Sequence, residues 1–150
     1  MNQELMVAAI ENGTVIDHIP SNKLFEVISL LGLQDLKSTV MIGYNLVSQK
    51  MGNKSLVKIA DRYFSDAELD RLAVVAPNVN LSIIKDFNVV EKRQVQLPKE
   101  IVGVVKCGNP KCITNNEPMK TRFHVSEKNN DVICCHYCSR EQVLDKVKLV

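Results

Sequence analysis

The sequence predicts an α+β chain in two parts: an N-terminal ferredoxin-like (split βαβ) domain and a small C-terminal antiparallel β zinc-binding domain. Three observations carry this. Apolar, β-branched runs and two helical patterns follow one another as strand, helix, strand, strand, helix, strand up to residue 91. All five cysteines lie after residue 106. The stretch that holds them reads as short strands, with too little apolar content for a large core of its own.

The elements are justified in order. Residues 5–19, LMVAAIENGTVIDHI, hold two apolar stretches separated by the Asn12-Gly13 turn signal, and Pro20 ends the second. Ser21 reads as an N-cap for a helix whose apolar face is Leu24, Val27, Ile28 and Leu31, with Gly32 placed to stop it. Residues 39–46 and 55–60 read as two strands of a hairpin around the polar turn 48–54. Ser65 and Glu68 form a capping box, Leu69, Leu72, Ala73 and Val75 face one way, and Pro77 closes that helix. Residues 80–84 and 87–91 are further strands, with Lys85-Asp86 between them. The predicted sheet has one face under helices and one uncovered, and a second copy of the chain is an economical cover for it. Domain boundaries follow: 1–93, a linker at 94–101 that lacks periodicity and holds one proline, and 102–150.

The second part has strand-like runs VGVVK, RFHVS, DVICC and QVLDKVKLV, with turns at Gly108-Asn109-Pro110 and Asn129-Asn130. Cys107 and Cys112 are separated by four residues, and Cys135 and Cys138 by two. Two such turns can close on one ion, and four thiolates leave no open position, so the spacing points to structural zinc. Iron in a rubredoxin-like site is the alternative metal. Disulfides are the non-metal alternative. Either Cys134 or Cys135 could be the third ligand. The two-residue spacing selects Cys135, and alternation along a strand turns Cys134 to the opposite face. His124 and His136 are ligands by type but read as partly exposed strand and turn residues.

Composition narrows the function. The chain has 150 residues and a net charge of +2. Residues 1–106 carry 12 basic and 12 acidic side chains, and residues 107–150 carry 7 and 5. Such a balance gives no strong field toward nucleic acid or a membrane surface. A zinc-ribbon nucleic-acid binder, the rival class, would lack stacking groups, since the zinc part has only Phe123 and Tyr137 as aromatics. No apolar run approaches the ~20 residues of a membrane span. The N-terminal MNQELMVAAIENG lacks the basic start and long apolar core of a secretion signal, so the expected location is cytoplasmic, where cysteines stay reduced.

No catalytic constellation is found, neither a phosphate-cradling glycine loop nor a serine elbow. Asp17 and His18 are an interesting pair by type, but neighbours on a strand face opposite ways and would not act together. Lys54, Lys58 and Lys92 suit a phosphate if they converge, and a solvated sheet edge if they do not.

The run GTVIDHIP at 13–20, the pattern MG-K-LVKI at 51–59, the pair AP at 76–77 and the four cysteines together resemble the regulatory chain of aspartate carbamoyltransferase, from end to end. The resemblance implies a chain without catalytic activity. Its N-terminal domain would be an allosteric nucleotide site where CTP inhibits and ATP usually activates. That domain would pair with its copy through the sheet, and the zinc domain would dock on catalytic chains. Residue by residue, it implies that His18 and Lys92 contact the phosphates, with Lys54 near them. Lys58 and Asp17 would serve the ribose. The base would lie against Ala9, Ile10, Phe87 and Val89, and Val7, Ser82 and Ile84 would complete the pocket. Ala8 departs from an often acidic position, Ser82 from asparagine and Phe87 from tyrosine. The phosphate set therefore carries over entire, whereas the base and ribose edge does not.

Overall fold

The computed structural model describes residues 9–49, 52–129 and 131–150. Val7 lies outside them, as does the first apolar stretch up to Ala8. The chain divides into two compact units between Leu97 and Pro98.

The first unit contains β1 (Gly13–Pro20), α1 (Leu24–Leu30), β2 (Val40–Ser48), β3 (Gly52–Ala60), α2 (Asp66–Val75), β4 (Asn80–Lys85) and β5 (Asn88–Gln94). The sheet order is β2-β3-β1-β4-β5, and every neighbouring pair is antiparallel. This is the split βαβ arrangement, in which the β1–α1–β2 connection leaves room for β3 between its strands. β5 extends it as the hairpin partner of β4. Both helices cover one face. Leu24 and Val27 of α1 and Leu69, Leu72 and Ala73 of α2 share a core with Ile16, Val57, Ile59 and Leu81 from the sheet. Strand alternation sends the intervening residues of β1, β3 and β4 to the other face, which no helix among the described residues covers.

Local chemistry sets most boundaries. The Ser65 hydroxyl accepts from the Glu68 N–H while the Glu68 carboxylate accepts from the Ser65 N–H, so the capping box starts α2. Gly32 takes φ 63° just beyond Leu31 and ends α1, a conformation that costs glycine little. Ser21 differs from expectation: it opens a short 3-10 turn, and its hydroxyl lies 3.0 Å from that of Ser55 instead of capping α1. The β2–β3 hairpin is longer than predicted, with Ser48 paired to Gly52, because the polar residues 48 and 52–54 continue the ladder.

Gly13 is required by close approach. At φ 140°, a Cβ there would stand 2.0 Å from the Ile59 carbonyl oxygen. The clash is with backbone in the middle of the sheet, where β1 cannot retreat. Gly13→Ala is expected to cost about 3 kcal/mol or more, and a denaturant midpoint unchanged from wild type would contradict that.

The second unit contains β6 (Glu100–Val102), β7 (Val105–Lys106), β8 (Arg122–Val125), β9 (Val132–Cys135), β10 (Glu141–Val143) and β11 (Lys148–Leu149). One sheet runs β10-β9-β8-β6, and β11 pairs with β7. Two predicted runs are broken. Gly103, at φ 71°, separates β6 from β7, and a 3-10 turn at Leu144–Lys146 separates β10 from β11. Ile101, Val105, Phe123 and Ile133 are fully buried or nearly so, and few other large side chains join them. The predicted linker 94–101 is mostly absorbed into the units. Val95 lies in the first core and its N–H donates to the Val79 carbonyl (2.8 Å), while Ile101 is buried in the second unit. Among the described residues, no helix is long and apolar enough to cross a membrane.

Candidate functional site

The uncovered face of the first sheet gathers the predicted cations. Lys58 of β3 opposes Val15 of β1, Val15 opposes Ser82 of β4, and Ser82 opposes Lys92 of β5. Directly opposed residues of antiparallel strands point to the same side, so these four form one row. Two residues along β1, Asp17 opposes Asn80 on the same face. Lys54, two alternations from Lys58, reaches back to the Asp17 carboxylate at 2.9 and 3.1 Å. In the other direction Ile84 opposes both Gly13 and Val89. The strip from Asp17 to Ile84 is thus about 14 Å long.

A β-bulge shapes the end that holds Asp17. The β1–β3 register shifts between Ile16 and Ile19, and His18 takes φ 61°. This corrects the expectation that Asp17 and His18 face apart. The bulge breaks the alternation, so the His18 N–H donates to the Asp17 carboxylate (2.6 Å) and His18 Nδ1 lies 3.8 Å from Asp17 Oδ2. The same ring nitrogen is 3.0 Å from Asn80 Nδ2. An amide N–H can only donate, so Nδ1 accepts, and the proton of the neutral ring sits on Nε2. Left-handed backbone at a non-glycine residue is strained and held by its surroundings, here by Asp17 and Asn80.

The charges of the strip are uneven. Lys54 is paired with the Asp17 carboxylate, and the same carboxylate lies near Lys58. Burial pushes the Lys58 ammonium below its ordinary pKa, and the nearby Asp17 charge only partly offsets this. An added anion would favour the charged form of Lys58.

The opposite end of the strip is apolar. Phe87 was expected in a strand, but β4 and β5 are joined by a two-residue turn in which both Asp86 (φ 51°) and Phe87 (φ 64°) are left-handed. Turns with both central residues left-handed match the twist of a hairpin. The turn is anchored by the Phe87 N–H on the Glu11 carbonyl (2.8 Å) and the Asp86 N–H on Asn12 Oδ1 (3.2 Å). This brings the hairpin tip beside the segment that contains Ala9 and Ile10. The Phe87 ring is 65% exposed and Val89 55%, whereas Ile10 is buried. Asn80, Tyr63 (whose hydroxyl donates to the Ile84 carbonyl at 3.1 Å) and Glu11 were not singled out in the sequence. They contribute through register and backbone groups, which leave no local motif.

The second unit holds a thiol cluster. The sulfurs of Cys107, Cys112, Cys135 and Cys138 all lie within 4.8 Å of one another. A zinc–sulfur distance of about 2.3 Å in a tetrahedron places its sulfurs about 3.8 Å apart. Cys107 and Cys138 are 3.6 Å apart, and Cys112 and Cys135 are 3.8 Å apart, so the donor set fits the ion. The first turn is braced by Asn115 donating to the Cys107 carbonyl (2.9 Å) and Asn116 to the Cys112 carbonyl (2.8 Å). Cys134 stands outside the cluster, with its sulfur 3.4 Å from the Ser139 carbonyl oxygen. His124 and His136 are also outside it, paired with each other.

Burial pushes the Cys107 thiol up to about 12 and raises Cys135 as well. At Cys138 burial is outweighed by hydrogen bonds from the Arg140 backbone and the Asn109 side chain, which hold it at about 7. Thiols protonated in the free cluster must lose their protons when metal binds. Zinc affinity is therefore expected to fall with falling pH, accompanied by proton release that calorimetry in buffers of different ionisation enthalpy will detect.

Comparison with known proteins agrees with this division. Residues 5–96 match the family model described as aspartate carbamoyltransferase regulatory chain, allosteric domain, and residues 99–148 match its metal binding domain. A protein of Phocaeicola vulgatus named aspartate carbamoyltransferase regulatory chain is 60% identical over 99% of this chain and 96% of its own length. One of the same name from Bacteroides fragilis is 57% identical over 99% and 97%. A more distant one from Pyrococcus horikoshii is 46% identical over 91% of each. With four thiols at zinc spacing in the part that matches a metal binding domain, the second unit is built on one structural zinc ion.

Proposed function

The chain belongs to the family of aspartate carbamoyltransferase regulatory chains, and on that premise we propose that its first unit binds CTP and ATP on the uncovered sheet face. The chain is a non-catalytic subunit whose partner is the catalytic chain of that enzyme. Bound nucleotide shifts the quaternary equilibrium of the holoenzyme, and with it flux into pyrimidine synthesis. The observation that supports this reading is the placement of Lys54, Lys58 and Lys92 with Asp17 and His18 on one face of the sheet formed by β3, β1, β4 and β5.

Each group has a task in the proposal. Lys92 and His18 take the phosphates, and Lys54 joins them while remaining paired to Asp17. Lys58 and Asp17 flank the ribose. Ser82, Ile84, Val89, Phe87, Ile10 and Ala9 form the base end. The triphosphate contacts are common to both nucleotides and cannot discriminate between them. Opposite effects must arise where the bases differ, at the hairpin tip and the segment it holds. A ligand moves an equilibrium only by binding its two states unequally, typically by ~1–3 kcal/mol. The change reaches the second unit through the short connection at Leu97 and Pro98.

A regulatory dimer is supported by the outer strand. Ile42, Tyr44 and Val47 of β2 are exposed, and the Phe25 ring lies 5.6 Å from that of Tyr44. An exposed apolar sheet edge calls for a partner, and a second copy supplies a matching one. The zinc unit would dock on the catalytic chain.

Titration calorimetry of the chain tests the nucleotide reading. CTP and ATP should each bind and displace one another. Failure of both to bind would remove it.

A further inference from the structure

The outer face of the zinc unit carries a second set of metal-ligating side chains. Glu100 of β6 opposes His124 of β8, and His124 opposes Cys134 of β9, so these side chains stand in one row on the side away from the thiol cluster. His136 follows β9, and its N–H donates to the Arg122 carbonyl (2.9 Å), which fixes its backbone beside β8. As a result His124 Nε2 and His136 Nδ1 lie 2.9 Å apart, with ring planes inclined at 56°.

This pairing has a specific chemistry. Two imidazole nitrogens in adjacent positions of a tetragonal ion, each about 2.0–2.1 Å from it, are about 2.9 Å apart. A metal-bound imidazole commonly gives its other N–H to a carboxylate, which fixes the tautomer. Glu100 is placed for that role: its Oε2 lies 3.7 Å from His124 Nδ1, an ion-pair separation longer than a hydrogen bond. With the proton on Nδ1, beside Glu100, Nε2 accepts from His136 Nδ1–H. An ion that takes both nitrogens replaces this hydrogen bond, and the His136 proton moves to its Nε2. Tyr137 packs edge-on against the His136 ring, with centroids 5.1 Å apart, and steadies it. His124 and His136 are both exposed, so an ion would reach them from solvent and keep water in its remaining positions.

We infer that His124 and His136 form a second, solvent-open binding site for a divalent transition-metal ion of the nickel or copper type, oriented by Glu100 and separate from the four-thiol zinc cluster. Two protein ligands hold an ion less firmly than four, so the site exchanges its metal readily while the zinc remains in place. It does not depend on the nucleotide reading.

The test is calorimetric titration of nickel chloride into the zinc-loaded full chain, with bound zinc measured before and after. The expected result is one nickel ion per chain with zinc retained. His124→Gln and His136→Gln should each weaken nickel binding at least tenfold, and Glu100→Gln should weaken it less. His18→Gln, which alters the third histidine of the chain, should leave nickel binding unchanged. His124→Gln lies outside the zinc loops, so its retained zinc and circular dichroism show that the fold is intact. The inference is overturned if the wild type takes up no nickel, if nickel enters only as zinc leaves, or if His124→Gln binds nickel as tightly as the wild type.

Discussion

Removing zinc unfolds residues 98–150 and leaves the first unit folded. The second unit has few large buried side chains, chiefly Phe123, Ile101, Ile133 and Val105. A core of that size supplies only about 3–5 kcal/mol, whereas thiol-bound structural zinc is worth roughly 10–16 kcal/mol in small peptides. The metal contribution is therefore the larger by a wide margin, and the apo state has no compensating element. The first cysteine turn carries the chain from one sheet to the other, since β7 ends at Lys106, directly before Cys107, and the second joins β9, which ends on Cys135 itself, to its neighbour β10. Chelation should abolish the β signal of this unit and collapse its dispersed amide resonances, while those of the first unit persist. Cys112→Ser and Cys135→Ser should have the same effect. Cys134→Ser should shift stability by no more than about 0.5 kcal/mol, because that sulfur is outside the cluster and half exposed. A native spectrum after complete loss of zinc would contradict this.

Lys92→Ala removes the response to both nucleotides. Lys92 is exposed on β5, directly opposite Ser82, so its ammonium group has no packing role to lose. The variant should fold, keep its zinc and unfold within about 0.5 kcal/mol of wild type. A hydrogen bond to a charged group is worth about 1.5–3 kcal/mol, so affinity for CTP and ATP should each fall roughly 10- to 150-fold. The two should fall together, since the phosphates are their common part. Ser82→Asn, at the base end, should instead alter the ratio of the two affinities. Equal nucleotide affinities in Lys92→Ala and wild type would remove that residue from the phosphate site.

Much of this architecture is legible in the residues. The periodicity of Leu24, Val27 and Leu31 and the Ser65–Glu68 capping box place both helices, and the strand order follows once β3 of the β2–β3 hairpin is set between β1 and β2. The zinc cluster is readable because its spacings are local: the two-residue spacing selects Cys135, and strand alternation turns Cys134 away. Register is less readable. The bulge that turns Asp17 and His18 the same way rests on a left-handed histidine, which no composition rule demands. Phe87 was placed one residue too far into a strand because its ring suits a sheet. Hydrogen bonds to Glu11 and Asn12, more than seventy residues earlier, hold it in a turn instead. The His124–His136 contact was missed for a similar reason: each residue reads as an ordinary surface position until the β8–β9 ladder sets them side by side.

The central claim is that nucleotide on the first unit changes the working state of a separate catalyst held by the second. The most direct measurement is the aspartate saturation curve of the assembled enzyme, recorded with CTP, with ATP and with neither. The account predicts that each nucleotide displaces the curve and that Lys92→Ala chains erase the displacement. A wild-type assembly whose curve is the same under all three conditions, though nucleotide is bound, would contradict it.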